Sequence, residues 1–120
     1  MSDSHKQQNC IFCKIVRREV PCRQVYEDDD ILAFHDIHAA APVHVLVIPK
    51  QHIDSLAHTR TEHETILGRL LAKTAEIAAG QGLTDGFRTI VNTGRVGRQE
   101  VYHLHLHILG GPEPLRSMAL

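Results

Sequence analysis

The chain has almost no net charge: 13 Lys and Arg stand against 14 Asp and Glu, a balance of −1 with histidine neutral. No field of one sign is present to gather nucleic acid or an anionic membrane surface, so an anionic ligand has to be held by local groups. Long apolar runs are missing too. Nothing approaches the ~20 residues of a membrane-spanning helix. The first 20 residues hold no apolar stretch of signal-peptide length, so the cytoplasm is the expected compartment. Cysteine is scarce and odd in number, with Cys10, Cys13 and Cys22. Three cysteines in a reducing compartment do not make a disulfide framework, and thiols or a metal site are expected instead. There is no internal repeat and no low-complexity segment. A chain of 120 residues is long enough for one core and short for two.

Histidine, by contrast, is plentiful, with 10 residues. In His103-Leu104-His105-Leu106-His107-Ile108-Leu109, three of them alternate with aliphatic residues. On a strand, positions i, i+2 and i+4 share a face, so the spacing predicts a row of imidazoles ~7 Å apart with the aliphatics facing the core. Histidine ionises near neutrality and ligates metals, so such a row suits catalysis or metal binding, and periodicity alone does not choose between them. A merely solvated face would more often carry Lys, Thr or Glu.

Along the rest of the chain, residues 1–9 are polar and aperiodic and read as a flexible lead-in to a single domain over 10–120. Ile11, Phe12, Ile15 and Val16 recur at helical spacing, which predicts a short helix beginning at the Cys-Ile-Phe-Cys segment. Two β-prone runs, 24–27 and 31–35, flank Asp28-Asp29-Asp30 and predict a hairpin with an acidic turn. Residues 43–49 read as a buried strand with His44, Leu46 and Ile48 on one face and the valines on the other. Thr61 and Glu64 match a capping box. It opens a helix with an apolar stripe of Leu67, Leu70, Leu71, Thr74, Ile77 and Ala78, stopped by Gly80 and Gly82. Residues 87–92 are a further strand candidate, 93–100 a loop, and the tail after Gly110-Gly111 irregular. His35, His38, His58 and His63 lie beside turns or at a helix start, where exposed histidines are ordinary.

The triad followed by Gly-Gly resembles the signature of the histidine triad (HIT) superfamily of nucleotide hydrolases and transferases. Cys10-Ile11-Phe12-Cys13-Lys14-Ile15, Leu32-Ala33-Phe34-His35-Asp36-Ile37, Pro42-Val43-His44, Val47-Ile48-Pro49-Lys50-Gln51-His52-Ile53 and Val101-Tyr102-His103 are similar, in order, to segments of its Hint branch. The resemblance spans residues 10 to 111. It implies an α+β fold: a five-stranded antiparallel sheet with one long and one short helix, paired across a homodimer into a ten-stranded sheet. It also implies cleavage at the α-phosphorus of a purine nucleotide through a covalent nucleotidyl-histidine.

By the same resemblance His105 is the nucleophile, His107 assists near the leaving group, and His44 is a fourth site histidine. A neutral imidazole nitrogen can attack phosphorus while its other nitrogen is held in one tautomer. Asp36 matches the acceptor for the ribose hydroxyls, with His35 beside it. Ile11, Phe12, Ile15, Phe34, Ile37 and Leu46 match the walls around the base, and Asn92 a residue near the phosphate. The loop departs from the eukaryotic Hint pattern, in which Gly-Gln-Ser precedes Val-Tyr-His. Here Arg98, Gln99 and Glu100 stand there. Gln99 carries over, Arg98 can act as a phosphate clamp, and an inward Glu100 would repel phosphate. The tail also lacks the tryptophan-containing end of the eukaryotic members, so leaving-group preference does not transfer.

Cys10 and Cys13 have the spacing of half a tetrahedral zinc site, which needs two more ligands. Some bacterial members hold structural zinc with this pair, the histidine of the Pro-Lys-x-His segment and the first triad histidine, which correspond to His52 and His103. The alternative is reduced thiols beside a hydrogen-bonded histidine. The implied activity is hydrolysis of purine nucleoside 5'-phosphoramidates, with a nucleoside monophosphate or phosphoramidate as ligand and neither nucleic acid nor membrane as partner. A dinucleoside polyphosphate hydrolase of the Fhit type and a non-enzymatic dimeric nucleotide-binding module are the competing readings.

Overall fold

The computed structural model describes residues 9–118. The lead-in at residues 1–8 lies outside the described residues, as do the last two of the tail. Helix α1 (Ile11–Val16) begins at the cysteine pair, with Cys10 as its N-cap: the Cys10 Sγ accepts the Cys13 N–H at 3.4 Å. Strands β1 (Gln24–Glu27), β2 (Ile31–His35) and β3 (Val43–Pro49) follow, then helix α2 (Glu64–Gly80), and then β4 (Arg88–Ile90) and β5 (Leu106–Gly110). The five strands form one antiparallel sheet in the order β1-β2-β3-β5-β4. This is the α+β architecture that the resemblance implies.

Alternation along the strands divides the apolar residues between two clusters. Ile31, Ala33, Val45, Val47, Leu104, Leu106 and Ile108 pack with Leu70, Ile77 and Ala78 of α2. Leu32, Phe34, Leu46 and Ile48 pack with Phe12 and Ile15 of α1. Leu70 and Ile77 are each almost fully buried, and at about 2 kcal/mol per large aliphatic side chain they hold the long helix to the sheet. The acidic turn is tied locally. Asp28 Oδ1 accepts the N–H groups of Asp30 and Ile31, both at 2.8 Å, and its Oδ2 accepts from Tyr26 and Arg69, both at 2.7 Å. Burial of the Asp28 carboxyl works to raise its pKa. The Tyr26 hydroxyl, these backbone donors and the Arg69 charge outweigh that and hold it at about 2.

Several local expectations are corrected. The histidine-bearing strand starts only at Leu106, so His103 and His105 lie in the segment that approaches it, although their alternation with Leu104 and Leu106 persists. The strand expected at 87–92 is the three-residue edge strand β4, whose ladder ends where Ile90 meets His107. The long helix opens with a 3₁₀ turn, Thr61–His63, and its cap is one residue earlier than expected: the Arg60 N–H donates to Nδ1 of His63 at 2.9 Å. That bond accounts for a buried His63 where an exposed one was expected. Leu71, assigned to the apolar stripe, is 61% exposed, because the stripe follows Leu70, Thr74, Ile77 and Ala78 more narrowly. Gly82 at φ +81° lets the Leu83 N–H return to the Ala78 carbonyl, a left-handed helix stop that only glycine adopts without strain.

Candidate active site and metal centre

A cavity of about 340 Å³ opens on the α1 face of the sheet. Ile11, Phe12, Ile15, Phe34, His35, Asp36, Ile37, Leu46, Glu100, His105 and His107, all expected site residues, line it. Its volume and apolar wall suit a small ligand carrying a flat ring. The segment Val20, Pro21, Cys22 and Arg23, together with His38 and Val101, also lines it. These residues occupy irregular stretches with no periodicity, so no pattern in the sequence pointed to them. Burial pushes up the Cys22 thiol pKa.

His105 is only 7% exposed, and its Nδ1–H donates to the carbonyl of His103 at 2.8 Å. That acceptor keeps the proton on Nδ1 and leaves a lone pair on Nε2. Burial lowers the pKa of this imidazole, so the ring is neutral at neutral pH. A buried neutral imidazole with a directed lone pair is a nucleophile.

His44 and His107 form a second hydrogen-bonded unit. Strand register pairs Leu46 with His107, which makes His44, two residues back on the same face, a diagonal neighbour of His107. The Ala40 N–H donates to His44 Nδ1 at 3.0 Å, so the His44 proton lies on Nε2 and is donated to His107 Nδ1 at 2.9 Å. The His107 proton is thereby placed on its Nε2, which is shielded from solvent and has no hydrogen-bond partner among the described residues. This chain leaves one N–H unpaired on a residue that lines the cavity. Burial, together with His105 and His44, lowers the His107 pKa to about 4, and burial lowers that of His44 despite the Asp36 carboxylate 3.4 Å from its Nε2. Asp36 Oδ1 accepts the His38 N–H at 2.8 Å, which fixes the carboxylate at the cavity rim.

The remaining expected residues lie elsewhere. The Gln99 amide is engaged by backbone: it accepts the Gly94 N–H at 2.9 Å and donates to the carbonyls of Asp54 at 2.8 Å and Val101 at 3.0 Å. It pins the loop and does not line the cavity. Arg98 is exposed with φ +62°, a left-handed conformation that costs a non-glycine residue about 1 kcal/mol. Asn92 follows the end of β4, half-buried and away from the cavity lining.

Cys10, Cys13, His52 and His103 bring their donor atoms within 4.8 Å of one another, a group that can hold a metal ion. Both histidines present the correct nitrogen. His103 Nε2–H donates to the Pro49 carbonyl at 2.8 Å, leaving Nδ1 facing Cys10 Sγ at 3.4 Å and Cys13 Sγ at 3.5 Å. His52 Nε2 bonds Asp54 Oδ1 at 2.7 Å, leaving Nδ1 3.2 Å from Cys13 Sγ. Acceptors behind the ligating rings are the usual support of a metal site. Burial, with Cys10 adjacent, pushes the Cys13 thiol up to about 12, so ionisation there calls for a cation. Asp36, His44 and His107 also cluster within 4.8 Å. The Ala40 N–H places the His44 proton on the nitrogen that would have to ligate, so that group is arranged for proton donation and not for a metal.

Fold and site define a hydrolase type of protein with a nucleophilic imidazole beside an apolar cavity, and the comparisons with known proteins agree. Residues 9–119 match the model of the scavenger mRNA decapping enzyme C-terminal binding family. The chain is 57% identical over 104 residues to protein HitA of Neisseria gonorrhoeae, covering 87% of this chain and 97% of that one. It is 48% identical over 112 residues to a purine nucleoside phosphoramidase of Escherichia coli, covering 92% and 93%. A HIT family hydrolase of Legionella pneumophila superposes with a TM-score of 0.84 at 43% identity, over 88% of this chain and 95% of that one. The chain belongs to the histidine triad family, and it is a hydrolase of that family.

Proposed function

We propose that the protein hydrolyses the P–N bond of purine nucleoside 5'-phosphoramidates. The observation that carries this reading is the His105 tautomer: Nδ1–H on the His103 carbonyl and a free lone pair on Nε2 beside a nucleotide-sized cavity. The base lies among Ile11, Phe12, Ile15, Phe34, Ile37 and Leu46, with His35 at the rim, and the ribose hydroxyls donate to Asp36. His105 Nε2 bonds to the α-phosphorus as the bond to the leaving amine breaks, and His107 Nε2–H, oriented by His44, gives its proton to the departing nitrogen. Water then attacks phosphorus and returns a proton to His107 Nε2, the phosphorus–His105 bond breaks, and a nucleoside monophosphate is released. On the loop side, Gln99 acts through the loop it pins, Glu100 lines the cavity, where its charge limits how closely a phosphate approaches, and Asn92 and Arg98 lie off the cavity wall. The similarity to the E. coli purine nucleoside phosphoramidase supports the substrate class.

Residues 10–120 act in this reading as one domain, in the cytoplasm, as a homodimer whose sheets join into ten strands. Zinc at Cys10, Cys13, His52 and His103 ties α1 to the sheet; it would sit in a closed Cys₂His₂ set with structural chemistry only. Metal analysis of protein purified without chelator should give about one zinc per chain. The deciding assay is incubation of wild type and His105→Ala with adenosine 5'-phosphoramidate, following adenosine monophosphate. Turnover is expected in wild type alone, with nucleotide binding kept in the variant. An inactive wild type, or faster turnover of a diadenosine polyphosphate, overturns the reading.

A further inference from the structure

Residues 101–105 approach the sheet without joining it, since β5 begins at Leu106. Leu104 N–H bonds the Ile53 carbonyl at 2.7 Å, and the Gln99 amide reaches the Val101 carbonyl at 3.0 Å. The His103 carbonyl, acceptor for His105 Nδ1–H, is therefore held outside the strand ladder. The His103 ring is fully buried and fixed on its Nε2 side by Pro49, while Nδ1 faces two sulfurs at 3.4 and 3.5 Å. Neutral thiols are weak hydrogen-bond donors and hold a ring nitrogen loosely.

We infer that the Cys10–Cys13–His52–His103 cluster positions the nucleophile. A divalent, thiolate-preferring cation held there pins His103 from its Nδ1 side, and so fixes the main-chain carbonyl that sets the His105 tautomer. His103 serves both centres at once, the cluster with its ring and the nucleophile with its backbone. Phe12 adds a second link. It lies in the turn between the two cysteines, with its ring edge-on to His103 at 5.8 Å and to His105 at 5.2 Å. Phe34, Asp36, Ile37 and Leu46 are placed by β2 and β3 or by the turn between them, away from the cluster. Of the base-wall residues only Ile11, Phe12 and Ile15 belong to α1, so metal occupancy acts on turnover more than on nucleotide affinity.

The test compares zinc-loaded full-length protein with the same protein stripped by chelator. Its readouts are imidazole ¹⁵N spectra of His105, the Kd for adenosine monophosphate, and kcat on adenosine 5'-phosphoramidate. Loaded protein should show one His105 tautomer with the proton on Nδ1. On stripping, a mixture of tautomers is expected, with a roughly tenfold or greater loss of kcat and a Kd within about threefold, reversed by added zinc. An unchanged His105 spectrum, or a kcat that falls only as affinity falls, overturns the inference. His52→Ala, with circular dichroism matching wild type, removes one ligand without touching the nucleophile and guards against simple unfolding. A tautomer mixture in that variant supports the inference, and a single wild-type tautomer overturns it. The kcat readout alone rests on the proposed reaction. If loaded protein shows no turnover, that reaction fails while the spectra still decide the positioning.

Discussion

Two groups of histidines lie within one fold, and the backbone around each gives them opposite chemistry. At His103 and His52 the Nε2 side meets acceptors, the Pro49 carbonyl and the Asp54 carboxylate, so lone pairs converge on the thiols. At His44 a backbone donor, the Ala40 N–H, meets Nδ1 instead, so protons run outward through Nε2 to His107 and the cavity. The residue type is the same and the burial similar. Whether the group behind the ring is a donor or an acceptor decides between lone pairs that can take a metal and an N–H that can be donated.

The comparison is tested most severely at the proton-donating group. His107→Ala removes the N–H directed at the leaving group and should lower kcat by about 10²–10⁴, with adenosine monophosphate binding largely kept. His44→Ala should reproduce part of that loss, because it leaves the His107 proton free to move to Nδ1. Steady-state kinetics on both variants, with the double variant, reads the coupling. Additive losses would separate the two residues and break the relay.

The pH dependence follows the same logic with a smaller effect. Burial depresses the pKa values of His105 and His107, the latter to about 4, so both stay neutral as pH falls through 6.5. The acid limb of kcat should therefore lie below the ordinary imidazole range. Stability moves with it. The unfolded chain protonates its histidines near pH ~6.5 and the folded chain resists until lower pH, so the unfolded state binds more protons and stability falls on acidification in that window. An acid limb at the ordinary histidine value would mean that these rings are not shielded as the structure has them.

The smallest expected effect is in the loop that leads into both groups. Arg98 holds a left-handed backbone at the position where the related pattern has glycine, so Arg98→Gly should raise stability by about 1 kcal/mol, read from denaturant midpoints. If Arg98 clamps the phosphate, the same variant raises KM. Unchanged kinetics would assign the arginine to the surface.

Much of this was legible before any coordinates. The alternation of His44, Leu46 and Ile48 against the valines, the β1–β2 hairpin and the helix ending at Gly80 were all read from period and punctuation, because burial on one face imposes both. The cap at Arg60 and His63, the exposure of Leu71 and the cavity wall at 20–23 were not. The exposure of Leu71 and the cavity wall depend on which neighbour arrives across space, and the cap rests on a side-chain bond between residues three apart that the Thr61–Glu64 pattern does not signal. Gln99 is a clear case, since its type suggests a ligand contact and its partners turn out to be backbone groups of its own loop and of Asp54.

Alternation and punctuation, which are properties of neighbours in the chain, are enough to give the strands, the long helix and a row of imidazoles, and the ordered motifs carry the resemblance to the histidine triad family that implies the α+β fold. The proton on each imidazole was settled by folding. The Pro49 carbonyl reaches the ring of His103 through tertiary packing, from 54 residues away in the chain, whereas Asp54 and Ala40 reach His52 and His44 from two and four residues away, and the His103 carbonyl meets His105 where the chain approaches β5. A hydrogen bond selects a tautomer only once its partner is within about 3 Å, and that distance is set by the folded backbone, across the sheet for His103 and within a turn for the others.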